Sequence, residues 1–207
     1  MGAPVRAVFF DFGGVVAALD RDHMRALERE YGLPERGLWR AMYETPEWQA
    51  LRIGTGSETA WVGAIRRTLD ELAGHPVADA ISQRWVECWR GLDQDILALI
   101  AGLRGRYRVG MISNATLTLE DELRDHHKIH DQFETIVNSA RVGFAKPDAR
   151  IFQHAAQAMG LAPGACLHID DLPHNVAGAR AAGFQAALYD GDFPALEREL
   201  RAAGVQW

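Results

Sequence analysis

The chain has 207 residues and a formal net charge of −6, with 48% hydrophobic and 24% charged residues. These proportions are ordinary for a globular domain, and the acidic balance without a long basic run argues against a nucleic-acid partner. The apolar runs are too short to span a bilayer and the N-terminal residues lack an export-signal pattern, so we expect a cytoplasmic protein without a membrane partner. Cys88 and Cys166 are predicted to be buried free thiols.

The first predicted element is a strand that ends in an acid. Residues 7–10 read AVFF, an unbroken apolar run typical of a strand buried on both faces, and Asp11 follows at once. Open α/β sheets bind their ligands at the carboxyl ends of the strands, which is where Asp11 would lie. Gly13 and Gly14 come next and allow the backbone to approach a bound group closely. On this stretch alone, an ordinary buried strand ended by a turn remains an alternative.

The pattern then becomes helical up to residue 92. Asp20, Thr45 and Ser57 are placed to cap helices, and the sequence RIGTGSE, residues 52–58, interrupts the pattern. Apolar residues at every fourth position predict one further helix with a narrow apolar stripe, formed by Val77, Ile81, Trp85 and Trp89. Five of the six tryptophans lie in this region, so we expect a small helical module with its own core.

From Asp93 onward, predicted helices alternate with short apolar strands. A parallel sheet with right-handed crossovers follows from this alternation. We therefore predict an α/β, Rossmann-like core formed by residues 1–16 and 93–207, with residues 17–92 as an all-helical insertion. The four strands expected in the second part cover residues 107–112, 135–138, 165–169 and 185–189.

Four polar clusters end strands or begin helices, and a parallel sheet brings the carboxyl ends of its strands to one edge. They are Asp11, Ser113-Asn114, Lys146 and Asp170-Asp171. Carboxylates suit a hard cation such as Mg²⁺, which needs only one or two of them beside substrate oxygens and water. A carboxylate in line with phosphorus can act as a nucleophile, and a lysine can offset charge on a phosphoryl group.

Four motifs in order resemble the haloacid dehalogenase superfamily, in its phosphatase-like majority. They are FFDFGGVV from residue 9, VGMISN from residue 109, AKPDARIF from residue 145 and CLHIDDLPHNVAGARAAGF from residue 166. The resemblance implies a parallel-sheet core under a helical cap that chooses the substrate. It also implies Mg²⁺-dependent hydrolysis of a small phosphorylated metabolite, such as a sugar phosphate, through an aspartyl-phosphate intermediate. Monomer and homodimer both stay open.

The resemblance implies a role for each matching residue of the catalytic site. Asp11 matches the nucleophile, and Ser113 matches the phosphate-binding hydroxyl, with Asn114 beside it. Lys146 matches the lysine that steadies nucleophile and phosphate. Asn175 takes the place of a polar residue that orients its neighbours.

The resemblance also implies a metal site next to the nucleophile. Asp171 matches the metal-binding acid, and Asp170 is a second or water-mediated ligand. Asp11 and the backbone carbonyl of Gly13 would complete the site. The backbone amides of Phe12 and Gly13 would face the phosphate.

The chain departs from the family pattern at Gly13, where most phosphatases of this family have a second aspartate that acts as general acid and base. Such a group contributes about 10²–10⁴ in rate. Three accounts stay open: a substrate with a good leaving group, a proton from a cap residue or water, or a protein that binds phosphorylated ligands without turnover. A branch of the family with Asp-x-Gly in the first motif is the most similar and favours a working enzyme.

The namesake dehalogenases of the superfamily are an alternative, because they need no metal and also lack the second aspartate. The adjacent acids Asp170 and Asp171 argue against them, since two carboxylates without a cation would repel each other. In the helical insertion we expect Trp48 to be the best candidate for the cleft and Trp89 to be among the weakest. Arg52 could contact an anionic or hydroxylated substrate, but an ordinary exposed arginine is the default expectation.

Overall fold

A five-stranded parallel sheet forms the centre of the protein. A computed structural model describes residues 3–207 of the chain. The strands of this sheet are β1 Ala7–Phe10, β4 Arg108–Ser113, β5 Thr135–Asn138, β6 Cys166–Asp170 and β7 Gln185–Leu188. Their order is β5-β4-β1-β6-β7, and every neighbouring pair is parallel, which confirms the predicted α/β class. Strand β1 lies in the middle of this order, and all four of its residues are buried because both faces of the sheet are covered there.

Helices cover both faces of the sheet. One apolar cluster lies on the face that includes Val8 and Phe10, and a second lies on the face of Ala7 and Phe9, as the alternation of side chains along a strand requires. The helices of this part are α6 Gln94–Leu103, α7 Leu119–Asp121, α8 Ser139–Val142, α9 Ala149–Ala158, α10 Pro173–Ala181 and α11 Phe193–Ala202. The helix expected from residue 116 to 125 is instead the single turn α7 followed by a π-helical turn, Glu122–His126.

Residues 21–84 form five helices with an apolar cluster of their own. Asp20, Thr45 and Ser57 each accept a backbone hydrogen bond at a helix N-terminus, so the three predicted caps are confirmed. The bounds are α1 Arg21–Glu30, α2 Gly37–Tyr43, α3 Pro46–Leu51, α4 Glu58–Ala73 and α5 Ala78–Arg84.

The predicted helix from Val77 to Trp89 is wrong in its second half. Helix α5 ends at Arg84, a 3₁₀ turn covers Trp85–Cys88, and β3, Trp89–Leu92, pairs antiparallel with β2, Ala17–Leu19. Strand pairing overrides the helical apolar pattern here, because the chain returns beside the segment by which it left the sheet. Trp89 therefore lies in the two-stranded β2–β3 sheet instead of on the apolar stripe of a helix.

Both cysteines are buried and free, as predicted. Within residues 3–207, no helix is long and apolar enough to cross a membrane.

Candidate active site

The sheet brings the predicted polar residues to one edge. Phe10 of β1 is level with Met111 of β4 and with Ile169 of β6. Asp11, which follows β1, is therefore level with Asp170 at the end of β6, and Ser113 ends β4 one residue farther toward the carboxyl edge. All three are buried, and they lie where the strand order reverses about β1, which is the usual ligand position of such sheets.

Lys146 is fully buried between two of these acids. Its Nζ atom lies 2.9 Å from Oδ2 of Asp11 and 2.6 Å from Oδ2 of Asp170. Burial alone would lower the pKa of Lys146, but the charges of Asp11 and Asp170 outweigh it and raise the pKa. The ammonium group is therefore held positive at the carboxylate of Asp11, in a setting of low dielectric where its charge has a large effect.

Asp170 holds the lysine in place. Besides the lysine, it accepts hydrogen bonds from His168 Nε2, the Leu172 backbone and Asn175 Nδ2, each at 3.0 Å. Burial would raise the pKa of Asp170, but the charge of Lys146 and the bond from His168 lower it well below its usual range. Asn175 thus contacts the acid that it is expected to orient, and that role stays a prediction.

Asn114 positions the backbone of Lys146. Its Nδ2 donates to the Lys146 carbonyl at 2.9 Å, and its Oδ1 accepts from the Lys146 backbone N–H at 2.8 Å. Both polar groups of the amide are therefore engaged with the backbone of one residue. The arrangement ties the end of β4 to the segment that holds the lysine.

The carboxylates of Asp11, Asp170 and Asp171 offer oxygen atoms that all lie within 4.8 Å of one another. Burial raises the pKa of Asp11 to about 7 and that of Asp171 to about 6. Asp171 accepts a hydrogen bond from Arg21 at Oδ2, whereas its Oδ1 is buried without a partner. Clustered acids with an unpartnered buried oxygen are the chemistry that a hard divalent cation satisfies, so the residues present fit Mg²⁺.

Gly14 supports Asp171 by its lack of a side chain. Its φ is +81°, and a Cβ atom at this position would overlap the carboxylate of Asp171. We expect Gly14→Ala to lower the free energy of unfolding by more than about 2 kcal/mol and to raise the Mg²⁺ concentration needed for activity. Urea unfolding measures the change in the free energy of unfolding. A titration of the hydrolysis rate with Mg²⁺ measures the change in the Mg²⁺ requirement.

Gly32 provides the matched control. It also has a left-handed backbone, with φ of +68°, but a Cβ atom there would meet nothing within 4 Å. Gly32→Ala should therefore cost only the backbone strain, about 1 kcal/mol, without changing the Mg²⁺ requirement. Equal effects of the two substitutions would contradict the proposed support of Asp171 by Gly14.

A cavity of about 420 Å³ opens between this edge of the sheet and the helical insertion. From the sheet side it is lined by Asp11, Gly13, Ser113, Asn114 and Asp171. The insertion contributes mainly aromatic and charged side chains, namely Trp39, Tyr43, Glu44, Trp48 and Arg52, with Trp89 from β3. Its size suits a small ligand.

The walls of the cavity test three expectations about the helical insertion. Trp48 lies in the wall, as expected. The expectation that Trp89 is a weak candidate is wrong, because its segment is a strand that runs beside the first motif. Arg52 is a half-buried residue of the cavity wall and not an ordinary exposed arginine. Arg21, the first residue of α1, pairs with Asp171, and no pattern in the sequence indicated that it would reach the site.

Trp89 stands where a side chain at position 13 would point. A Cβ atom on Gly13 would meet Cη2 of the Trp89 ring at 3.5 Å, which is ordinary van der Waals contact. The space that an acid at position 13 would use is therefore bordered by an apolar ring. The surroundings of position 13 are thus apolar on the side of Trp89, in keeping with a glycine instead of an acid at this position.

A parallel sheet with acids and a lysine at its carboxyl edge, facing a cavity under a helical insertion, is the architecture of an enzyme with a Rossmann-like α/β core. The family model for haloacid dehalogenase-like hydrolases matches residues 5–183, and the chain belongs to this family of enzymes.

Curated relatives and a solved structure agree with this assignment. The chain is 27% identical over 191 residues to phosphatase MT3486 of Mycobacterium tuberculosis, covering 90% of this chain and 88% of the relative. It is 26% identical over 189 residues to D-ribitol-5-phosphate phosphatase of Bacteroides thetaiotaomicron, covering 87% and 90%. These relatives support phosphatase activity. A HAD family enzyme of B. thetaiotaomicron, solved in complex with magnesium and inorganic phosphate, shares the fold with a TM-score of 0.64 at 21% identity, covering 91% and 96%.

Proposed function

We propose that the protein is a Mg²⁺-dependent phosphomonoesterase for a small phosphorylated metabolite, with Asp11 as the nucleophile. The observation that carries the proposal is the buried Lys146, which contacts Asp11 at 2.9 Å while Asp171 presents an unpartnered oxygen close by. A fixed positive charge beside the nucleophile and a free carboxylate oxygen are what transfer of a phosphoryl group requires.

Asp11, Asp171 and the carbonyl of Gly13 would hold the Mg²⁺. The bound cation would offset the charge that develops on the phosphoryl oxygens. Asp170 was predicted as a second or water-mediated ligand, and this stays untested. Its bonds to Lys146, His168, Asn175 and the backbone favour a positioning role, because both of its oxygens already accept hydrogen bonds.

The chain supplies the remaining parts of the reaction. An oxygen of Asp11 would attack phosphorus, the bond to the leaving oxygen would break, and water would then release phosphate from the acyl phosphate. Lys146, the Ser113 hydroxyl and the backbone amides of Phe12 and Gly13 would bind the phosphoryl oxygens. The Phe12 amide lies beside the nucleophile, since it donates to Oδ1 of Asp11 at 2.7 Å. With no acid at position 13, a cap residue or water would protonate the leaving oxygen, or the substrate would have a good leaving group.

We also propose that residues 17–92 form a cap domain on a core of residues 1–16 and 93–207. The separate apolar cluster of the helices supports this division. The paired strands β2 and β3 support it as well, because they are the two segments by which the chain leaves the core and returns to it. A cap over the cavity would exclude water and limit the substrate to a small molecule. The monomer or homodimer state and the cytoplasmic location remain predictions.

Phosphate release from p-nitrophenyl phosphate is expected to stop in EDTA and to return with excess Mg²⁺. Protons compete with the metal for Asp11 and Asp171, whose pKa values burial raises to about 7 and about 6. The Mg²⁺ concentration that gives half of the maximal rate should therefore fall as the pH is raised from about 5.5 to about 8. A chromogenic assay over a matrix of pH and Mg²⁺ measures this shift.

Two other outcomes would contradict the proposed function. Release of chloride from 2-chloropropionate in the presence of EDTA would show a metal-independent dehalogenase. Binding of Mg²⁺ and phosphorylated compounds in calorimetry, without turnover of any ester, would show a phospho-ligand-binding protein.

A further inference from the structure

Arg52 is the one charged residue of the cavity wall without an opposite charge, counting the Asp, Glu, Lys and Arg residues among residues 3–207. Each of the other four has an ion-pair partner. Asp11 pairs with Lys146, and Asp171 pairs with Arg21. Glu44 and Arg36, which both line the cavity, pair with each other. The charge of Arg52 is thus uncompensated in the wall of this cavity.

The guanidinium group of Arg52 is also short of hydrogen-bond acceptors. Its Nε is buried without a partner, and its Nη1 makes one long contact, 3.4 Å, to the carbonyl of Lys146. Burial lowers the pKa of Arg52, which reflects the cost of keeping the charge away from water. A buried donor without an acceptor costs free energy, so the site favours a ligand that brings an anionic acceptor.

The backbone fixes Arg52 across the boundary between the helical insertion and the core. Arg52 directly follows helix α3 as its C-cap residue, and its backbone N–H donates to the Trp48 carbonyl at 2.9 Å. The loop that follows is pressed against the core at Gly54, whose φ is +77° and where a Cβ atom would overlap the carbonyl of Ala140. The arginine therefore reaches the cavity from a tightly packed segment and keeps its place relative to Asp11.

We propose that Arg52 binds a second anionic group of the substrate, on the part of the molecule that leaves with the ester oxygen. The substrates would be small phosphomonoesters whose alcohol portion has a carboxylate or a second phosphate. This inference rests on the proposed phosphatase function. The planar fork of a guanidinium matches either anion with two parallel hydrogen bonds.

Arg52 approaches the predicted phosphoryl site from the helical insertion. The ammonium of Lys146 contacts Asp11, whereas Arg52 contacts the backbone carbonyl of the same lysine. Asn114 donates to that carbonyl as well, so Arg52 and Asn114 meet at one peptide unit beside the nucleophile. A ligand with its phosphoryl group at Asp11 would thus place its other end toward Arg52 and the aromatic wall of Trp39, Tyr43 and Trp48.

Two esters of the same length test the proposal, because they differ only at the distal group. 3-Phosphoglycerate has a carboxylate where glycerol 3-phosphate has a hydroxymethyl group. With Mg²⁺, the wild-type protein should prefer 3-phosphoglycerate, and Arg52→Gln should lower the ratio of the two kcat/KM values by about tenfold to a hundredfold, mainly through KM. Propane-1,3-diol bisphosphate, assayed in parallel, distinguishes a second phosphate from a carboxylate as the preferred group.

Arg67→Gln is the matched control, since Arg67 lies on the helical insertion, is exposed and pairs with Glu47 outside the cavity. It should leave the ratio unchanged. An unchanged ratio in Arg52→Gln would overturn the proposal. Equal losses for all esters, with a matching loss of inhibition by inorganic phosphate, would also overturn it, because Arg52 would then bind the reacting phosphoryl group.

A failure of the phosphatase function would be visible separately. If the wild-type protein with Mg²⁺ hydrolysed no ester, the proposed function would be wrong. Calorimetric titration of the same Mg²⁺-loaded protein with 3-phosphoglycerate would then decide the role of Arg52. The same titration with glycerol 3-phosphate supplies the comparison. A larger loss of affinity for 3-phosphoglycerate than for glycerol 3-phosphate in Arg52→Gln, and none in Arg67→Gln, would support it, and equal losses or equal binding would overturn it.

Discussion

Asp11→Asn is expected to lower Mg²⁺-dependent phosphate release by about 10⁴-fold or more, because a carboxamide oxygen is a poor nucleophile and the acyl phosphate would not form. The side chain keeps its shape, so the loss would come from chemistry. We expect the variant to fold, since burial already raises the pKa of Asp11 to about 7 and the site tolerates the neutral side chain. Phosphate release, measured beside circular dichroism and the unfolding midpoint, checks both expectations.

Asp131→Asn is the control for this substitution. Asp131 is fully exposed and does not line the cavity. It should retain the wild-type rate, since an exposed acid with a weak contact contributes little. Substantial phosphate release by Asp11→Asn would contradict the assignment of Asp11 as the nucleophile.

Lys146→Met is expected to remove activity and to destabilise the fold by about 3–5 kcal/mol. Methionine keeps the length of the side chain but leaves the carboxylate of Asp170, which is fully buried, without its cation. The cost is that of an uncompensated charge, so it should decrease at acidic pH, where Asp170 becomes protonated in the variant. Urea unfolding at neutral and acidic pH measures the loss and its pH dependence.

The double variant Lys146→Met/Asp170→Asn separates stability from catalysis. Removal of the second charge should restore at least half of the lost free energy of unfolding, because the two side chains are coupled through one contact of 2.6 Å. Activity should not return, since the positive charge at Asp11 is still absent. A stable single variant, or a double variant as unstable as the single one, would show that the buried ion pair has no such role.

The sheet and the positions at its edge could be predicted from the sequence. Buried parallel strands leave continuous apolar runs such as residues 7–10, and the acids that follow them need no tertiary information to be placed. Once the order of the elements is known, Asp11, Ser113 and Asp170 must meet at one edge. The caps at Asp20 and Thr45 were equally local, because each depends on a side chain within three residues of the amide that it binds.

Apart from Trp48, the part of the cavity wall that the helical insertion supplies could not be predicted, because it depends on how the insertion meets the core. The stripe that includes Trp85 and Trp89 has a helical period, yet the chain pairs as a strand there and moves Trp89 beside Gly13. Arg21 and Arg52 reach the site over long sequence separations, to Asp171 and to the Lys146 carbonyl. No local pattern distinguishes such arginines from the exposed ones of the same helices.

The central claim is that Asp11 takes up the phosphoryl group from the substrate. Acid quenching during turnover, followed by borohydride reduction, converts an acyl phosphate into an alcohol, and peptide mass spectrometry then locates it. We predict homoserine at position 11, present only when both Mg²⁺ and a phosphomonoester are supplied. Reduction at another carboxylate, such as Asp170 or Asp171, or an unmodified Asp11 under rapid turnover, would contradict the account.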